Sequence, residues 1–378
     1  MSAALILVPD ILMARLDFLG LPLWKRGWLT CQQAGIKQFI VVSGEREFLQ
    51  DLRFEVEKDK RFDCSWTVVG SGDALPAVFE SFICLDADEM FDLELLKDPT
   101  TLCPADEFPP ALVAFLKGEA NDTKDLRRKG ILTATLQEAV TAPDYFLGRV
   151  ETRSDLAKIR TRLFARMRSR QISVFDRWVH SALALPLLYF FLKTPITPNQ
   201  ITLLSVPFAG AALYLFARGG QVCMVLGALS LVATAVLDCC DGAVARLKFQ
   251  TSRIGDRLDL AMDNVVNLSA FVEIALGYPG PAGWWVFGLL AMILVGGMGV
   301  FGAVYLPNPS LKGSAFRGTV LERMVLLLIN RDFIYIILLL ALLGRVHWFL
   351  WIAAVGANLF ALVLLGVRFV RWRKGLPA

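Results

Sequence analysis

The chain has 378 residues, 55% of them hydrophobic, with a mean hydropathy of +0.53 and a formal net charge of +4. This apolar fraction is too high for an ordinary soluble protein, and the length predicts two or more structural units. The two histidines, His180 and His347, lie far apart. A histidine-based zinc site and a Ser-His-Asp triad are therefore not expected. A nucleic-acid partner is not expected either.

Residues 1–140 read as a soluble α/β domain, because β-rich apolar runs alternate there with helix-like stretches. The four strand candidates are residues 4–8, 39–43, 66–69 and 82–86. The alternation predicts a parallel sheet. The N-terminal apolar run has no basic flank and is broken by Pro9 and Asp10. We therefore expect no signal peptide and a cytoplasmic location for this domain.

Residues 141–195 are predicted to join this domain to the membrane. The segment 156–175 carries six basic residues and no acidic one, with apolar residues at near-helical spacing. It predicts a helix on an anionic cytoplasmic leaflet, and a solvated basic linker is the alternative. The apolar segment 179–192 is short for a membrane span. We interpret it as a juxtamembrane or re-entrant helix.

Residues 196–378 are dominated by apolar runs long enough to cross a bilayer. Six spans are predicted, at about 199–217, 221–244, 257–278, 283–305, 324–343 and 347–369. The loops after the second, fourth and sixth spans are basic, whereas the alternate loops are nearly uncharged. By the positive-inside rule, both termini face the cytoplasm. The sequence thus predicts a multi-pass protein of the cell (inner) membrane.

Four aspartates stand at the polar ends of the second and third spans. Asp238 and Asp241 are three residues apart, and Asp259 and Asp263 are four apart, so each pair shares one face of its helix. A carboxylate in hydrocarbon costs roughly 2.5–3.5 kcal/mol on insertion scales, which indicates a functional site. Four carboxylates brought together would suit Mg²⁺ or Mn²⁺.

The complete pattern is Asp238-x2-Asp241-Gly242-x2-Ala245-Arg246-x8-Gly255-x3-Asp259-x3-Asp263. It resembles the signature of the CDP-alcohol phosphotransferase family at every specified position, and the resemblance extends over about 195–375. It implies two divalent cations held by the four aspartates and a CDP-alcohol donor that releases CMP. By the same resemblance, Asp263 is also the base for the acceptor hydroxyl, and the protein is a homodimer.

Other residues of this region suit a nucleotide donor. Gly242 and Ala245 leave one helix face bare, and Arg246 offers a guanidinium fork to phosphate oxygens. The resemblance adds further donor contacts: Asn199, Thr202, Ser252 and Gly255. For the first two, the alternative is a helix start in which the threonine bonds its own backbone.

Basic residues lie in or after the loop between the fourth and fifth spans. The resemblance suggests that four of these residues bind a phosphate on the acceptor, namely Lys312, Arg317, Arg323 and Arg331. The positive-inside rule alone would also place basic residues in this loop.

The soluble half resembles the start of sugar-nucleotide or cytidylyl nucleotidyltransferases, whose Rossmann-like fold it is expected to share. Residues 4–44 carry the likeness, and Asp86 and Asp88 are candidate metal ligands. No glycine-rich loop follows the first strand to bind a triphosphate, so we predict a non-catalytic domain.

This fusion of domains resembles inositol-phosphate cytidylyltransferase/di-inositol-phosphate phosphate synthases. The resemblance suggests inositol phosphate as acceptor, with glycerol phosphate as another candidate. With an inactive soluble domain, CDP-diacylglycerol is favoured as donor over CDP-inositol, and the product is a phospholipid. A bifunctional enzyme that makes its own CDP-inositol is the alternative.

Two other classes of function compete with a transferase. A cation transporter would need charged residues that continue the path across the bilayer, and the four aspartates all stand at the cytoplasmic end. An inactive scaffold conflicts with the complete aspartate signature, although it suits the soluble half.

Overall fold

The computed structural model describes residues 2–8, 11–43, 45–69, 81–87, 89–91, 103–104, 147–150, 152–169, 181–277, 284–304 and 333–373. The chain divides into two compact units. The first is Met1–Arg166 with Leu247–Gln250, and the second is Met167–Arg246 with Thr251–Ala378.

The first unit is built on a mainly parallel sheet. Its strands are β1 (Ser2–Leu7), β4 (Gln38–Val42), β5 (Ser65–Val69), β6 (Ser81–Asp86) and β8 (Cys103–Pro104), in the spatial order β5-β4-β1-β6-β8. Leu5 of the central strand β1 lies opposite Ile40 and Cys84, both in parallel pairings, and β8 runs antiparallel to β6. Two short antiparallel pairs join β2 (Asp17–Phe18) to β3 (Leu21–Pro22) and β7 (Glu89–Phe91) to β9 (Leu147–Arg149).

The strands β1, β4, β5 and β6 overlap the four runs predicted from the sequence, and they pair in parallel. The α/β character of this region is therefore confirmed, whereas the nucleotidyltransferase likeness stays a prediction. Asp86 is the last residue of β6. Asp88 lies outside the described residues.

Among the described residues of this unit, three helices accompany the sheet: α1 (Ile11–Ala14), α2 (Leu23–Gln33) and α3 (Arg46–Lys58). The α2 face that packs on the sheet is aromatic. Trp28 is fully buried and stacks on Phe39 of β4, with ring centroids 5.0 Å apart. Trp24, one turn earlier, stacks on Phe62 at 6.1 Å. Such rings bury large apolar areas and contribute about 0.5–1.5 kcal/mol per pair beyond that burial.

A compact ion cluster ties the chain after α3 to α2. The Asp59 carboxylate lies 2.5 Å from Lys25 Nζ and 2.6 Å from Arg61 Nη2, and Lys25 is 8% exposed. Burial alone would raise the pKa of Asp59. The hydrogen bonds from Arg61 and Lys25 outweigh it and hold that pKa well below its usual range.

Asp59→Asn should lower the free energy of unfolding of the first unit by about 1–3 kcal/mol, because it leaves the buried Lys25 ammonium without its counter-charge. A lowered folded-state pKa stabilises the fold above the unfolded carboxyl pKa of about 4. That stabilisation is lost as the pH falls through the folded value. The difference between wild type and variant should therefore shrink in acid, as followed by tryptophan fluorescence during urea unfolding.

Asp51→Asn is the matched control. Asp51 pairs with Arg15 at a similar distance, but both side chains are about half exposed or more, at 63% and 49%. Exposed pairs contribute about 0–1 kcal/mol. Equal effects of the two substitutions would contradict the importance of the Lys25–Asp59 pair.

The helix α4 (Arg153–Ser169) covers most of the predicted basic segment, and residues 170–175 lie outside the described residues. After it come α5 (Ser181–Lys193), α6 (Pro198–Arg218), α7 (Gln221–Leu247), α8 (Arg253–Leu276), α9 (Trp284–Val304), α10 (Phe333–Leu342) and α11 (His347–Arg373).

Three of the described helices are long and apolar enough to cross a membrane: α6, α7 and the His347–Val370 part of α11. Shorter apolar helices cover Ala182–Lys193, Val265–Leu276, Trp285–Val300 and Phe333–Leu342. Side chains such as Leu203, Val222 and Leu362 are more than two-thirds exposed, as suits contact with lipid. A membrane protein is therefore supported, and the count of six spans stays a prediction.

The α6–α7 turn packs against the end of α8. Gly219 and Gly220 have φ of 68° and 79°, a region that glycine adopts at little cost. A Cβ on Gly219 would overlap the carbonyl oxygen of Gly277, which follows α8. Because the two backbones touch, the three helices are joined at this end.

The helices α9 and α11 also approach through small residues. A Cβ on Gly296 would lie 2.8 Å from backbone and Cβ atoms of Ala357, and one on Gly299 would lie 2.8 Å from Ala361 Cβ. The Asn358 amide donates to the Met292 carbonyl at 2.7 Å. Close backbone approach and interhelical hydrogen bonds are the usual means of helix association in membranes.

Gly296→Ala should destabilise the membrane unit by about 1–3 kcal/mol, because the added methyl group has no room against α11. Gly297→Ala is the control on the same helix, since a Cβ there has nothing within 4 Å. Both substitutions favour the helix locally, so only the packing differs. Thermal unfolding in detergent would measure this, and equal melting temperatures would contradict the tight α9–α11 contact.

Candidate functional site

The best-defined part of the site is the contact between α6 and α7. Thr202 near the start of α6 donates from Oγ1 to Asp241 Oδ2 of α7 at 2.5 Å. The same oxygen lies 3.2 Å from the Pro198 carbonyl, so the backbone bond given as the alternative is present as well. A hydroxyl has one proton, and the contact with the charged partner is the shorter one.

Burial makes this contact important. Asp241 is 5% exposed, and a carboxylate removed from water needs hydrogen bonds or an opposite charge. The Thr202 hydroxyl orients the carboxylate without neutralising it. An oriented carboxylate thus lies near the polar end of two helices, where its oxygen atoms could bind a cation.

A small cavity lies between α6, α7, α8 and α10 beside this contact. Asp238 lines it together with Thr202 and Ser205 of α6, Thr234 of α7, and Val266 and Asn267 of α8. The structure thus brings the α7 aspartate pair to the helix that carries the other pair.

Asp259 and Asp263 stand on α8, but their side chains lie outside the described part of the structure. Asp263 precedes Asn267 by one helical turn, so the two positions share a face. This placement favours the predicted grouping of four aspartates.

The residues present fit a hard divalent cation. Asp238, Asp241 and the Thr202 hydroxyl offer only oxygen atoms, the donor type that Mg²⁺ and Mn²⁺ prefer. Among the described side chains, three or more histidines, cysteines or acids do not come together. The ligand set predicted from the sequence also includes the two α8 aspartates.

Arg246 lies one turn after Gly242 on α7 and is exposed. A Cβ on Gly242 would lie 3.3 Å from Arg246 Nη1. The glycine face predicted to be bare is thus covered by the guanidinium, for which glycine leaves room. Ala245 is half-buried on the same helix.

Ser252 has a structural role that the sequence analysis missed. It is the N-cap of α8, and its Oγ accepts a hydrogen bond from the Gly255 N–H at 2.9 Å. A Cβ on Gly255 would lie 2.9 Å from that oxygen, so glycine suits the position. A serine just before a helix is the signal that could have shown this. Because its oxygen accepts, the hydroxyl can still donate to a ligand.

Asn199 is exposed in the first turn of α6, where the positive end of the helix dipole favours anions. The Gln200 side chain accepts from the Thr197 N–H at 2.9 Å and helps to begin the helix. The four predicted acceptor residues, Lys312, Arg317, Arg323 and Arg331, lie outside the described residues.

Comparison with known proteins agrees with this geometry. The sequence model of the CDP-alcohol phosphatidyltransferase family matches residues 195–357. An archaetidylinositol phosphate synthase of Pyrococcus horikoshii is 37% identical over 82 residues, which cover 22% of this chain and 42% of that protein. The chain therefore matches less than half the length of this relative. The family match includes α6, α7 and α8 with all four aspartates, and residues 195–357 thus form a domain of the CDP-alcohol phosphatidyltransferase family.

Proposed function

We propose that the chain is an integral membrane CDP-alcohol phosphotransferase of phospholipid synthesis. The observation that carries the proposal is the buried Asp241 carboxylate, oriented by Thr202 and adjacent to a cavity lined by Asp238. It lies within a family domain whose members act on CDP-alcohols.

In the proposed reaction, the acceptor hydroxyl attacks the β-phosphorus of the donor. A new phosphorus–oxygen bond forms, the bond to CMP breaks, and CMP leaves with the electron pair. Asp263 takes the hydroxyl proton, and Arg246 binds phosphate oxygens. Asp238, Asp241, Asp259 and Asp263 would hold two Mg²⁺ or Mn²⁺ ions, which supply charge stabilisation for the phosphates.

Asn199 and Ser252 serve donor binding in this proposal. Asn199 stands at the α6 N-terminus, where the positive end of the helix dipole favours a phosphate. Ser252 begins α8 and retains a proton to donate. Gly242 leaves room for the Arg246 guanidinium, Gly255 leaves room for the Ser252 hydroxyl, and Ala245 adds little bulk to α7.

The substrates proposed are CDP-diacylglycerol as donor and a phosphorylated polyol as acceptor. The name of the Pyrococcus horikoshii relative favours inositol phosphate over glycerol phosphate. Lys312, Arg317, Arg323 and Arg331 are proposed to bind the acceptor phosphate.

The proposed organisation is a non-catalytic domain at 1–140, juxtamembrane helices at 141–195 and a six-span domain at 196–378. The aspartates and both termini face the cytoplasm, where CDP-linked donors are available, and the protein is a homodimer.

Asp263→Asn should abolish CMP release, because asparagine neither accepts the proton nor balances a cation's charge. Purified protein would receive CDP-diacylglycerol, Mg²⁺ or Mn²⁺, and inositol phosphate or glycerol phosphate. Glu47→Gln, at an exposed carboxylate of α3, is the control and should keep full activity. Undiminished activity of Asp263→Asn would remove this residue as the base. Folded wild-type protein that releases no CMP with any acceptor would contradict the proposed function.

Thr202→Val should lower kcat roughly 10- to 100-fold, the value of one hydrogen bond to a charged group, and should raise the Mg²⁺ concentration required. Thr202→Ser should retain most activity. Thr161→Val is a matched control, because Thr161 also bonds a carbonyl one turn earlier, at 2.9 Å, but lies in α4. Activity is measured across an Mg²⁺ titration. An unchanged titration in Thr202→Val would contradict the orienting role of Thr202.

A further inference from the structure

A second layer of polar side chains lies one helical turn from the aspartates. Thr234 precedes Asp238 by four residues on α7, and Asn267 follows Asp263 by four on α8. At 1.5 Å per residue, each stands about 6 Å along its helix from the aspartate. With the cytoplasmic orientation proposed above, this layer is deeper in the membrane.

Polar side chains within a membrane need hydrogen-bond partners, in the protein or in a ligand. Thr234 Oγ1 donates to the Ser230 carbonyl at 3.0 Å, and Ser205 Oγ donates to the Thr202 carbonyl at 2.7 Å. Within the described part of the chain, the Asn267 amide makes no hydrogen bond, although it lines the cavity. The Asn267 side chain is half-buried, and an amide at membrane depth favours a ligand that accepts a hydrogen bond.

The cavity limits the size and character of that ligand. Its volume is about 30 Å³, the room of a water molecule or of one small functional group. A sugar or inositol ring does not fit this space. Apolar residues complete the wall, and one of them, Val206, is 40% exposed. The cavity therefore has a polar end at Asp238 and an edge on the surface that the proposed topology assigns to lipid.

We propose that this cavity receives a linkage oxygen of a glycerolipid donor, with Asn267 donating a hydrogen bond to it and Thr234 lining the same pocket. In a CDP-activated glycerolipid, the first ester or ether oxygen lies a few bonds from the phosphorus. The distance from the phosphorus to this oxygen is comparable with the one helical turn that separates Asn267 from Asp263. A soluble donor such as CDP-inositol would bring a ring with several hydroxyl groups to this position. It has no apolar chain that could lie against Val206 at the edge of the cavity.

This inference rests on the proposed function, because it assumes that the donor phosphates bind at the aspartates. It makes Asn267 a residue that selects lipid-linked donors, distinct from the residues that hold the phosphates.

The test compares full-length wild-type protein with Asn267→Leu, which keeps a similar volume but removes the amide. Binding of CDP-diacylglycerol is measured by thermal shift, and CMP, which has no glycerol linkage, is the reference ligand. We expect the variant to bind CDP-diacylglycerol roughly 2- to 10-fold more weakly, the value of one neutral hydrogen bond, with unchanged affinity for CMP. Ser269→Ala, on α8 and away from the cavity lining, should change neither affinity.

A dialkyl ether analogue of the donor distinguishes the two sources of the oxygen. An equal loss for both donors supports the linkage oxygen, whereas a loss confined to the diester would overturn that assignment in favour of the ester carbonyl. In the activity assay, KM for the lipid donor should rise while kcat stays within about twofold, and Asn267→Gln should restore part of the loss.

Equal weakening of CDP-diacylglycerol and CMP would overturn the inference, because it would show a general change of the site. Unchanged affinity for both would also overturn it and would leave water as the occupant. Because binding needs no turnover, these outcomes stand apart from a failure of the proposed function, which would appear as absent CMP release by the wild type.

Discussion

The hydrogen bond from Thr202 to the buried Asp241 carboxylate is the interaction on which the membrane unit's site depends. It gives a charged group at the interface of two apolar helices a defined orientation, and it sets how α6 and α7 face each other at their polar ends. The cavity lined by Asp238 follows from that arrangement, with α8 completing it. Oxygen-bearing side chains from several helices face this cavity, and apolar residues lie outside it. Such an arrangement suits the binding of phosphates and cations within a membrane domain.

Much of this organisation was predictable from local sequence patterns. The parallel strands follow from short β-rich runs, as for residues 39–43 and β4. The aspartate pairs at spacings of three and four predict one face on each helix. The small-residue and arginine pattern around Asp241 then points to a CDP-alcohol chemistry, and the family match over 195–357 agrees with it.

Features that depend on contacts between distant residues were not predictable. The bond from Thr202 to Asp241 joins residues 39 positions apart, and spacing within one helix says nothing about it. The sequence indicated a bare face at Gly242, but the long Arg246 side chain folds back over it. The sequence predicts that Ser252 binds the donor, and it does not show that the Ser252 oxygen also caps α8. The two roles are compatible, because a hydroxyl can accept a hydrogen bond from the backbone and donate one to a ligand at once.

The contact of the Gly219–Gly220 turn with Gly277 has a mechanical consequence. It fastens α6, α7 and α8 together at the end away from the aspartates, where backbone touches backbone without intervening side chains. Three helices joined at one end move most at the other, so a small tilt at the glycines would become a larger separation at the end that carries the aspartates.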